Sequence, residues 1–93
     1  MKDGEDILYY GTGEILSKMN FLDGKPVGEF TSYYESGEIL CKCWYLDGKK
    51  HGELITCYSS GKIIYSYYIN GRPVNDSEWT SYNRNIKLEL LGL

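Results

Sequence analysis

The sequence predicts an all-β chain: a single antiparallel meander of repeated β-hairpins, with about eight strands. Three observations carry this. YYGTGEILSKMNFLDGKPVGE, from Tyr9 to Glu29, aligns without a gap on YYESGEILCKCWYLDGKKHGE, from Tyr33 to Glu53, at an offset of 24 residues (33 − 9). A weaker third copy opens with CYSSGKII at Cys57, again 24 residues on (57 − 33). Each copy holds two glycine turn signals, and between them side chains alternate as strands require.

The first turn signal is GTG, ESG and SSG, which puts Gly13, Gly37 and Gly61 in phase. The second is DGK, DGK and NGR, with Gly24, Gly48 and Gly71. Asp-Gly and Asn-Gly are the strongest short hairpin signals, because tight hairpin turns need positive φ. Two turns per repeat leave two strands of ordinary length. In the second unit Ile39, Cys41, Cys43 and Tyr45 alternate with Leu40, Lys42, Trp44 and Leu46. The first unit does the same with Ile15, Ser17, Met19 and Phe21 against Leu16, Lys18, Asn20 and Leu22.

The third unit is one residue short, since Gly71 follows Gly48 by 23 residues (71 − 48). Tyr65 to Ile69 is where the shortening is expected, with an irregularity to restore side-chain facing. RPVNDSEWTSY then echoes KPVGEFTSY with two residues added, as a truncated fourth copy. The tail IKLELLGL alternates and reads as a closing strand, with a short helix as the lesser alternative; terminal repeats must cap a stack. The whole is one domain, 1–93, in units of approximately 5–28, 29–52 and 53–76 with a partial cap over 77–93.

Composition narrows the function classes. Ten tyrosines in 93 residues fit a thin sheet that packs its own aromatic side chains along its faces. A net charge of −3 and a pI near 5.0 oppose duplex binding, which needs a basic stripe. No apolar run approaches membrane-spanning length, MKDGEDI does not read as a signal peptide, and three cysteines suggest a reducing compartment. The expectation is a cytoplasmic protein with no integral membrane association.

Candidate chemistry is thin. Cys41, Cys43, Cys57 and His51 would make a zinc set by residue type. Yet Cys41 and Cys43 are two apart in a strand, and one unit earlier the same places hold Ser17 and Met19. Cysteine here reads as a small buried hydrophobe, so no metal and no cofactor are expected. The glutamates recur in phase (Glu14 and Glu38; Glu29 and Glu53), as turn and cross-strand residues do and a single active site does not. Gly11-Thr12-Gly13 lacks the helix and lysine of a phosphate cradle. No catalytic residues are assigned.

The unrepeated aromatic positions are the candidates for partner binding: Trp44 where unit 1 has Asn20, the cluster Tyr65, Tyr67 and Tyr68, and Trp79 where unit 1 has Phe30. Tyr and Trp are enriched at interface hot spots; packing of the better-covered sheet face is the competing reading. Arg72 is a candidate charged anchor beside Tyr68, and His51 a candidate rim contact.

The pattern YYxxGEIL…YLDGKxxGE resembles the variant repeat of the MORN-repeat superfamily, over about Glu5 to Tyr82. The resemblance implies successive hairpins in a single elongated, curved sheet, and binding or scaffolding rather than catalysis. Many bacterial members of this variant class are antitoxin components, and MORN arrays elsewhere serve as protein-assembly or proposed lipid-binding platforms. The chain departs from the pattern at Asn75-Asp76-Ser77, where Gly28 and Gly52 stand earlier. The expected function is a non-enzymatic protein-binding module, an antitoxin-, immunity- or viral anti-defence-like inhibitor that occludes a partner protein. The alternative is a scaffold that homo-oligomerises through its edge strands.

Overall fold

The computed structural model describes residues 3–92. Eight strands and one helix follow in order: β1 (Gly4–Tyr9), β2 (Ile15–Leu22), β3 (Lys25–Tyr33), β4 (Ile39–Leu46), β5 (Lys49–Lys50), β6 (Gly52–Cys57), β7 (Ile63–Ile69), β8 (Arg72–Val74) and α1 (Asp76–Leu90). The strands make one open antiparallel meander, β1-β2-β3-β4-β6-β7-β8, with β5 on β4. Its extents are 52 × 38 × 21 Å. The expected all-β meander is the fold.

Both turn signals act as the residues dictate. Asp23, Asp47 and Asn70 take φ of 51°, 51° and 50° ahead of a positive-φ glycine, closing two-residue loops between Leu22 and Lys25, Leu46 and Lys49, and Ile69 and Arg72. At the opposite rim, the amides of Gly13, Gly37 and Gly61 donate to the carbonyls of Tyr10, Tyr34 and Tyr58 at 3.0, 2.9 and 2.9 Å.

Two ladders join unit to unit. Tyr10 Oη donates to the Tyr33 carbonyl, and Tyr34 Oη to the Cys57 carbonyl at 2.7 Å. On the other rim, Gly48 N–H donates to Pro26 O at 3.1 Å and Gly71 N–H to Lys50 O at 2.8 Å. These contacts matter because a single layer encloses little. Among the described residues only Cys43, Ser17 and Thr31 are buried.

The missing residue of unit 3 lies elsewhere than expected. In units 1 and 2 the pairing shifts by one, between Leu8 and Tyr9 and between Ser32 and Tyr33, which leaves Leu16 and Leu40 as bulged residues. Unit 3 pairs without a break from Cys57↔Ile63 to Gly52↔Tyr68. The shortening removes the bulge itself, before Ile64, and Tyr65 to Ile69 is regular. Facing is therefore preserved, and Tyr67 stands where Trp44 and Asn20 stand.

The C-terminus also differs. Among the described residues the fourth copy goes no further than Arg72–Val74, and no closing strand follows: pairing stops at Val74 and α1 begins. Gly28 and Gly52 carry the chain through a bulge at φ of 72° and 97°, whereas Asn75 at the matching place takes φ −87° and caps a helix. Its Oδ1 accepts from Glu78 N–H at 2.8 Å, with Asp76 and Glu78 in the first turn complementing the helix dipole. Alternation over Ile86 to Leu90 does not oppose this, because the cap and the Trp79–Tyr82–Ile86 stripe both favour helix.

Candidate functional site

Hairpin register builds the site. Each unit presents one cross-strand pair at the same place: Glu5↔Asn20, Glu29↔Trp44 and Glu53↔Tyr67. A glycine precedes every glutamate, so these places share one sheet face beside a stretch of backbone bare of side chain. In unit 3 the helix docks there. The Trp79 ring stacks on Tyr67 at 6.0 Å and on Tyr82 at 5.7 Å, while His51 meets Trp79 and Tyr82 edge-on at 5.9 and 5.4 Å. The indole passes within 3.8 Å of where a Cβ at Gly52 would stand. Arg72 ties down the helix start through Glu78, at 3.3 Å.

The structure thus brings His51, Tyr67 and Trp79 into one clamp, and adds Tyr82, which sequence reasoning missed. Its spacing of three from Trp79 was the available signal, legible only once the segment is read as helix. Beside the clamp, Glu53, Tyr67, Trp79, Asn83, Arg84 and Lys87 border an open cleft of about 460 Å³. The Tyr67 hydroxyl is pushed up by lost hydration and by the Asp76 and Glu53 carboxylates, and so stays a protonated donor.

Other candidates lie apart. Tyr68 points to the opposite face, paired with Gly52 and Pro73, with Lys50 Nζ 5.2 Å from its ring centroid. Arg72 pairs with Ile69, one place along from Tyr68, so it sits across the sheet and does not extend a Tyr68 patch. Trp44 and Tyr65 share the clamp's face, at 49% and 54% exposure. His51 also holds a hairpin turn in place. Its Nδ1 accepts from Asn70 N–H at 3.2 Å, as the Asp3 carboxylate in the same repeat position accepts from Asp23 N–H at 2.7 Å.

The cysteines lie in the sheet. Burial pushes the Cys43 thiol up to about 11, with Cys41 adding to the effect and Lys50 opposing it. Cys41 is raised too, first by burial. Thiols held protonated are poor nucleophiles and poor metal ligands. Among the described residues no group of three His, Cys, Asp or Glu side chains is placed to hold a metal ion, and no helix is long and apolar enough to cross a membrane.

Comparison with protein-family models, curated proteins and solved structures finds no match to this chain.

Proposed function

We propose that this chain is a non-enzymatic protein-binding module, an inhibitor of the antitoxin, immunity or viral anti-defence kind that covers a surface of a partner protein. The observation that carries the reading is the exposure of Trp44 and Tyr65 on the face that already holds an aromatic clamp. Unrepeated Trp and Tyr side chains half open to water, on a scaffold whose other residues recur, are what a binding surface requires and a sheet does not. The glutamates support the same reading, since they recur in phase as cross-strand residues. The resemblance to MORN-type repeats adds binding or scaffolding as the family's kind of work.

The experiment is affinity capture from a lysate of the source cell, with the wild-type chain and a Trp44→Ala, Tyr65→Ala variant in parallel. A stoichiometric protein held by the wild type and lost by a variant of unchanged circular dichroism supports the reading. Absence of such a protein counts against it. A second reading, assembly through strand edges, is favoured by β1, which pairs only with β2 and leaves Leu8 and Tyr9 more than half exposed. Light scattering across a concentration series separates the two, since a monomer throughout removes assembly.

A further inference from the structure

The clamp on unit 3 shows what this face binds, and unit 2 carries the same place uncovered. By register, Gly28, Glu29 and Trp44 match Gly52, Glu53 and Tyr67. Val27 matches His51, and Lys49, opposite Leu46, matches Arg72, opposite Ile69. At Gly52 the Trp79 ring fills the space above the backbone; at Gly28 no non-adjacent residue comes within 4 Å of a Cβ position. Trp44 accordingly stays 49% exposed, whereas Tyr67 is partly covered by the stacked indole.

The charge that seats the helix is also present and unspent. Arg72 holds Glu78, the residue just before Trp79. In unit 1 the matching Lys25 is engaged by Asp47 of the next turn, at 3.6 Å. The turn after Lys49 has Asn70 where that aspartate would be, and Lys49 forms no ion pair among the described residues. Unit 1 offers Asn20 in place of an aromatic ring, so unit 2 alone combines the bare glycine, the exposed ring and the free cation. The two places are two strands apart, about 9.6 Å, which matches the roughly 8–10 Å between packed helix axes. A second helix therefore fits beside α1.

We infer that the surface formed by Val27, Gly28, Glu29, Trp44 and Lys49 binds a helix of a partner protein that carries an acidic residue immediately before an aromatic residue, with a second aromatic one turn later. The chain's own Glu78-Trp79-x-x-Tyr82 is the template for that pattern. This inference rests on the protein-binding reading and specifies its surface and its partner's chemistry. The indole of Trp44 stacks on the incoming aromatic ring as Tyr67 stacks on Trp79, and Lys49 meets the acidic side chain.

The test uses the full chain and a synthetic peptide of residues 75–87, NDSEWTSYNRNIK, as the probe. In a titration followed by nuclear magnetic resonance, the Trp44 indole N–H shifts and that of Trp79 stays in place. Trp44→Asn, which installs the residue of unit 1, weakens binding about tenfold or more. Lys49→Glu weakens it severalfold, and a peptide carrying Glu78→Lys restores affinity to that variant. No binding at about millimolar peptide, equal binding by Trp44→Asn, or a shift of Trp79 with Trp44 unmoved (exchange into unit 3) each overturns the inference. If the peptide fails while the chain still captures a stoichiometric partner, only this inference falls.

Discussion

The first two hairpins and the third are built from one repeat, yet they end differently, and one small change accounts for the difference. Units 1 and 2 each pass a positive-φ glycine, continue through a bulge and pair again with the next unit. Unit 3 has Asn75 at that place, and there the chain leaves the sheet as a helix. The helix then folds back on the bare backbone that the preceding glycine, Gly52, exposes. Gly52 thus serves continuation in the backbone and docking in space, and asparagine in place of the next such glycine, at position 75, converts a repeating ribbon into a capped one.

The largest effect expected from disturbing this contrast is at the dock. Trp79→Ala removes the ring shared by Tyr67, Tyr82 and His51, for a loss of about 2 kcal/mol, below the ~3–5 of a fully enclosed aromatic ring. Hydrogen exchange distinguishes the two regions: amides of α1 lose protection while those of β2–β4 keep theirs. Next is the cap. Asn75→Ala costs about 1 kcal/mol in urea unfolding and Asn75→Gly only a few tenths. An alanine variant as stable as the wild type would show that the side-chain bond to Glu78 contributes nothing.

A smaller effect tests the ladder between units. Tyr34→Phe deletes the bond to the Cys57 carbonyl and lowers stability by up to about 1 kcal/mol. Tyr58→Phe, at the matching position of unit 3, is nearly silent, because no following unit receives its hydroxyl. The contrast extends to pH, since Cys43 of unit 2 is matched by Ser66 of unit 3. A thiol raised from 9.0 to about 11 is held protonated in the folded chain, and the unfolded chain releases its proton first. Its contribution is complete below about pH 9 and is lost as pH rises towards 11. Cys43→Ser should flatten the fall in Tm over that window; an unchanged slope assigns the alkaline transition to tyrosines, of which Tyr45 is also raised, chiefly by burial.

Much of the sheet was legible because hairpin turns are local. Asp-Gly and Asn-Gly specify their own backbone angles, so the seven strands of the meander and their order followed from six glycines. The helix was not, for two reasons rooted in particular residues. Ile86 to Leu90 alternates as well for a strand as for a helix. The homology of RPVNDSEWTSY to KPVGEFTSY also masked Asn75-x-x-Glu78, a helix-start signal that overrides the resemblance. Of the candidate site, His51, Tyr67 and Trp79 were legible as unrepeated residues. Their separation from Tyr68, and the place of Arg72 on their face and not on that of Tyr68, were not, because both depend on register, and register turned on which residue unit 3 had lost.

That last point gives the smallest expected effect and the sharpest test of the repeat. If unit 3 lost the bulged residue, a leucine inserted between Ile63 and Ile64 restores the arrangement of Leu16 and Leu40 and leaves every later side chain on its face. Its cost should be well under the loss seen for Trp79→Ala, with α1 still protected from exchange. The same leucine inserted between Ser66 and Tyr67 takes the place opposite Glu53 and turns Tyr67 to the other face, away from Trp79, since a one-residue slip inverts facing. It should release the helix and cost several times more, read as the loss of α1 protection and a lower urea midpoint. Equal tolerance of both insertions would mean that β7 selects its own register from its aromatic residues, and that the clamp adapts to whichever tyrosine it is offered.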